Sequence, residues 1–196
     1  MFGKIAQDIV PHQFFMQLEQ LNLSYLANED RILCKVGLSS EAPDGPKNEI
    51  QFFFTRRLLQ LMWPVLMESI ASHLRLNRPE AAFASEELVN MDHDEAIQKI
   101  SESGNFDQEY DGNNRNILNG ERPYLLETVK IHLQKDEPLW LQFFPTQGGT
   151  VDLKLHTELL HGFCKLLIDT EKLAGWNLDL VLPKSEEFSK PAHLLN

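Results

Sequence analysis

Arg56 and Arg57 follow Thr55 at the point where apolar spacing changes from alternating to helical. Cations in the first turn of a helix oppose its dipole, so two of them together need an anion nearby. Backbone N–H groups at a helix start, joined by two guanidiniums, could hold a phosphate or carboxylate ligand. Pairing of the same arginines with Glu49 or with the acidic residues further along is the simpler use of them.

Asp107, Glu109, Asp111 and Gly112 imitate the opening of a calcium loop, which alternates oxygen ligands and places glycine sixth. Arg115 then stands ninth and Leu118 twelfth, where a bidentate carboxylate is required, so the segment reads as a solvated acidic loop. His161 and Cys164 are three apart on a helix and, with His156, offer imidazole and thiolate to zinc. His161 aligns with Glu158, Lys165, Asp169 and Lys172 on the face expected to be wet, whereas Cys164 falls toward Leu160 and Leu167. Asp92, His93, Asp94 and Glu95 are ligand types, but neighbours on a helix diverge and cannot converge on one atom. They are expected on a solvated face. Trp63 with Phe52, Phe53 and Phe54 could line an apolar pocket, although such a cluster more often forms core. No glycine-rich phosphate loop, nucleophile elbow, paired metalloprotease histidines or dinucleotide fingerprint occurs. The residues thus predict no catalytic group, no cofactor and no metal, and point away from an enzyme.

The elements that would position these groups follow from periodicity. Pro11 with Val10, Phe14, Leu18 and Leu21 fits a short amphipathic helix. Leu21, Leu23 and Tyr25 alternate, Asn28 to Asp30 turn, and Ile32, Cys34, Val36 and Leu38 resume on one face, which predicts a hairpin. A Pro/Gly-rich loop over 39–47 leads to a strand from Ile50 to Phe54. A helix from Thr55 to about Leu74 follows, with threonine as its cap and Pro64 as an expected kink. Its apolar face is unusually wide, which implies cover from more than one side.

The second half repeats this order. Strands are predicted over 126–133 and 139–144 and at Val151, Leu153 and Leu155, then a helix from Thr157 to about Leu173. A shift that brings Ile50 onto Val151 also brings Phe52 onto Leu153, Phe54 onto Leu155 and Met62 onto Phe163, which suggests a duplicated β-β-β-α unit. Between the halves lie ten acidic residues against Lys99 and Arg115 from Glu86 to Glu121. Ser85 can cap a helix there that carries Leu88, Met91, Ile97 and Ile100, and 101–119 is expected to be a mobile loop. A short strand is predicted over 178–182.

The fold class is therefore α+β, an antiparallel sheet forming one six-stranded layer or two small ones. The domains expected are 1–76 (N-terminal helix plus first unit), 77–122 (acidic connector), 123–182 (second unit) and 183–196 (polar tail). A net charge of −11 and a pI near 5.0 disfavour nucleic acid, although Arg31, Lys35, Arg56, Arg57, Arg75 and Arg78 could gather locally. The longest apolar run, Leu58 to Met67, contains Gln60 and Pro64 and is far too short for a membrane span. The opening residues lack the unbroken apolar run of a signal peptide, and two cysteines in apolar settings make no disulfide framework, so a cytoplasmic setting is expected. The function expected is a non-enzymatic protein–protein interaction, adaptor or chaperone-like, through Leu61, Trp63 and Met67, with a protein partner or a second copy. The alternative is a binder of, or enzyme acting on, a small anionic ligand held by Arg56 and Arg57.

Overall fold

Alternation from Arg31 to Leu38 aims Ile32, Cys34, Val36 and Leu38 the same way, and all four are buried in the computed structural model. The structure describes residues 16–40, 45–102 and 110–182. Seven strands lie in one sheet: β1 (Met16–Leu26), β2 (Arg31–Ser40), β3 (Asn48–Thr55), β4 (Asn116–Ile117), β5 (Tyr124–His132), β6 (Leu139–Pro145) and β7 (Val151–Leu155). Their order is β1-β2-β3-β5-β6-β7, with the two-residue β4 beside β3. Neighbours are antiparallel except β3 with β4 and β3 with β5. The protein is α+β, and its sheet is mixed and mostly antiparallel. The order strand-strand-strand-helix occurs twice. The two triplets meet in the short parallel contact of Phe52 with Tyr124 and Phe53 with Leu125.

Helices α1 (Arg56–Asn77) and α3 (Thr157–Ala174) cover one face of the sheet, and α2 (Ser85–Glu102) lies on α3 and α1. A 3-10 turn, Pro79–Ala84, links α1 to α2. Thr55 caps α1 as its position predicts, its Oγ1 accepting from the Leu58 amide at 3.1 Å. Helix α1 continues through Pro64, which is exposed. Phe52, Phe54, Phe143 and Phe163 pack edge to face or tilted, with centroids 5.5 to 6.2 Å apart, at the centre of the core. No helix among the described residues is long and apolar enough to cross a membrane.

Three sequence expectations are corrected. Leu18 and Leu21 lie in β1, not in an N-terminal helix; residues 1–15 are outside the described part. A bulge between Leu18 and Gln20 places both leucines on the core face, opposite Leu38 and Val36, so a strand acquires helix-like spacing. Residues 178–182 form no strand. Leu180 is buried there, and Leu178 and Leu182 pack on the core, so alternation reflects an extended segment on a greasy floor. Residues 110–119, expected to be mobile, are fastened to the sheet: Asn119 Oδ1 accepts from the Gln51 amide at 3.0 Å and its Nδ2 donates to the Gln51 carbonyl at 2.8 Å.

Arg115 shows why that segment is held. Its side chain is 1% exposed and is salt-bridged to Glu19 at 3.0 Å. The guanidinium also donates to the Asp111 carbonyl at 2.5 Å and lies 5.4 Å from the Tyr110 ring centre. Gly37 makes room for it, since a Cβ there would meet the guanidinium at 2.9 Å. The outer sheet face carries cation and ring pairs, Arg31 over Phe53, Lys130 over Phe144 and Lys154 over Trp140. Phe53 is thus screened by Arg31 on a face that no helix among the described residues covers.

Candidate interaction surfaces

The first turn of α1 leaves Arg56 and Arg57 exposed. The anion beside Arg56 belongs to the chain itself. Hydrogen bonds from the Trp176 indole at 2.6 Å and the Tyr25 hydroxyl at 2.9 Å hold Asp30 below the usual carboxylate range, and Arg56 adds to this. Glu49, offered by the sequence as an ion-pair partner, is instead buried, taking hydrogen bonds from the Tyr110 hydroxyl at 2.5 Å and from Gln51. Arg31, Arg75 and Arg78 form ion pairs with Glu29, Glu68 and Asp92.

The wide apolar face of α1 separates into two parts. Trp63 is 5% and Met67 7% exposed, inside the chain's own core, and the Trp63 indole donates to the Val181 carbonyl at 2.9 Å. Sheet, neighbouring helices and the segment after α3 supply the several-sided cover that such a helix needs. Leu61 and Val65, one turn apart, remain outside at 62% and 56%.

His161 and His93 are both buried, at 2% and 7%, where the sequence places them on wet faces. Helix α2 lies over that side of α3, and the two imidazoles meet across the seam. Cys164 is fully enclosed, and burial pushes its thiol up to about 12, which leaves it un-ionised and without nucleophilic character near neutrality. His156 is exposed at the start of α3. Among the described residues no group of three or more His, Cys, Asp or Glu side chains could hold a metal ion. Asp107 and Glu109 of the calcium-like string lie outside the described residues, and the Asp111 carboxylate pairs with Lys47 at 3.4 Å and accepts from the Asn113 amide at 3.2 Å.

The surface that sequence reasoning missed is the ridge formed by the 3-10 turn and α2. Phe83 is 91% exposed and Met91 63%. On a helix, residues three and four away are the neighbours of a side chain. For Met91 these include Glu87, Asp94 and Glu95, all exposed. Glu95 is paired with Lys99 at 2.8 Å. The sequence reading places Leu88, Met91, Ile97 and Ile100 on this helix without separating them by face, and the stripe that packs is Val89, His93 and Ala96, flanked by Leu88 and Ile97. The 4-3 spacing of Val89, His93 and Ala96 is the signal that would have turned Met91 outward, but it requires treating a histidine as core. Neither protein-family models, nor curated proteins, nor solved structures give a match to this chain.

Proposed function

We propose that this chain is a non-catalytic protein-interaction module, of the adaptor or chaperone-like kind, that receives a basic amphipathic segment of a partner on its acidic ridge. The observation that carries this reading is Phe83, a phenyl ring 91% exposed in the 3-10 turn, followed eight residues later on α2 by Met91, 63% exposed. Large apolar side chains left in water along one acidic ridge are what a partner would cover. Burying both would contribute about 3 to 6 kcal/mol, at roughly 1.5 to 3 kcal/mol per side chain. Glu87 and Asp94 beside them select the charge of the partner and speed its approach. Leu61 and Val65 form a second apolar patch on α1, but it lacks a ring.

The test is fluorescence anisotropy with a labelled Lys/Arg-rich amphipathic peptide and a scrambled peptide of equal composition. Saturable binding of the amphipathic peptide is expected, weakened by salt and by the joint change Phe83→Ala and Met91→Ala at least tenfold. Equal binding of both peptides, or an unchanged affinity in the double variant, would remove the proposal.

A further inference from the structure

We infer that two copies of this chain associate about a two-fold axis at β7, Asp152 and Lys154 of each copy forming ion pairs with Lys154 and Asp152 of the other. Strand β7 is an edge of the sheet: it pairs with β6 on one side, and among the described residues no strand pairs on its other side. A strand edge presents unpaired N–H and C=O groups and is ordinarily blunted by bulges, proline or a covering element. The opposite edge, β1, has such protection, with a bulge at Leu18/Gln20 and α3 packed beside it. Strand β7 has neither bulge nor proline, and its register with β6 runs unbroken from Val151 to Leu155. Among the described residues its defences are its shortness and its one lysine, Lys154.

The side chains of β7 choose the occupant. Val151, Leu153 and Leu155 are 2%, 4% and 1% exposed and face the core, while Asp152 and Lys154 stand exposed on the outer face. Asp152 is already oriented there, its Oδ1 accepting from the Trp140 indole at 2.9 Å and from Gln142 at 3.0 Å. Antiparallel pairing of two β7 strands centred on Leu153 puts Asp152 opposite Lys154 twice. Directly opposed opposite charges stabilise a strand pair and like charges weaken it. In-register parallel pairing would set Asp152 against Asp152, and a slip of one residue would turn the apolar set to the wrong face. A slip of two residues would centre the pair on Asp152 or on Lys154 and set like charges opposite one another, which leaves one favoured self-complementary register. The contact is isologous, so it closes at two copies and does not propagate into a filament. Five residues of strand make a contact smaller than a stable interface of about 1,600 Å², so the dimer is weak and concentration-dependent.

Sedimentation velocity over a concentration series tests this with the intact chain. Wild type is expected to pass from monomer toward dimer as concentration rises. Lys154→Asp alone, and Asp152→Lys alone, should each weaken association at least tenfold. An equimolar mixture of the two single variants should restore it, because each then supplies the charge that the other lacks. Asp152→Asn keeps an acceptor for Trp140 while removing the charge, so it separates lost pairing from local misfolding and should also weaken the dimer. A monomer at every concentration, a dimer indifferent to Lys154→Asp, or no recovery in the mixture would overturn the inference.

Discussion

The imidazoles of His93 on α2 and His161 on α3 meet Nδ1 to Nδ1 at 3.3 Å, with ring centres 5.3 Å apart and planes at 74°. One nitrogen must donate and the other accept, so at least the accepting ring is neutral. Burial lowers both histidines, His161 to about 4, with His93 adding to the effect. Asp94 works against the lowering at His93, and Lys165 reinforces it. The seam between α2 and α3 is thus built for the uncharged pair.

Acid should loosen that seam. An unfolded histidine titrates near 6.5, and a folded one held lower contributes stability present above 6.5 and lost as pH falls toward its folded value. With His161 at about 4, roughly 2 kcal/mol should disappear between pH 7 and pH 5. Urea unfolding of wild type and of the joint variant His93→Leu and His161→Leu at the two pH values checks this. The double variant should lack the difference, and an equal loss in both proteins would refute the role given to the pair.

The residues of α1 should divide by burial. Trp63→Ala is expected to cost about 3 to 5 kcal/mol and Met67→Ala about 2 to 5 kcal/mol of folding stability, since each empties a filled site. Leu61→Ser should stay within about 0.5 kcal/mol. Chemical denaturation would read all three, and a large loss at Leu61 would show that the outer face of α1 is covered.

Gly37→Ala should destabilise the chain by about 1 to 3 kcal/mol, because the new methyl group meets a guanidinium that cannot yield without losing Glu19 and the Asp111 carbonyl. Combined with Arg115→Ala, it should cost less than the sum of the single changes. Additive losses would mean that Gly37 and Arg115 do not act on each other.

Local rules made much of this fold legible. Alternation located β2, β3, β6 and β7, and Thr55 announced the start of α1 because a threonine at a change of period satisfies an orphan amide. The bulge in β1 was illegible, since one extra residue gave Leu18 and Leu21 a three-residue spacing that a helix would also show. The junction of β3 with β5 rests on two residue pairs from distant parts of the chain and leaves no local pattern. For the candidate surface, the acidic run from Glu86 was plain, but Met91 was not separable from core without knowing that His93 faces inward. That inward turn depends on His161, sixty-eight residues away.

Methionine methyl NMR during titration with the basic amphipathic peptide tests the proposed docking most directly. Met91 is exposed, whereas Met62 and Met67 are buried in the core at 2% and 7% and serve as internal controls. The Met91 methyl resonance is expected to shift and broaden with saturation while those of Met62 and Met67 stay in place. An unmoved Met91 signal at peptide concentrations that saturate binding would contradict the assignment of the acidic ridge as the docking surface.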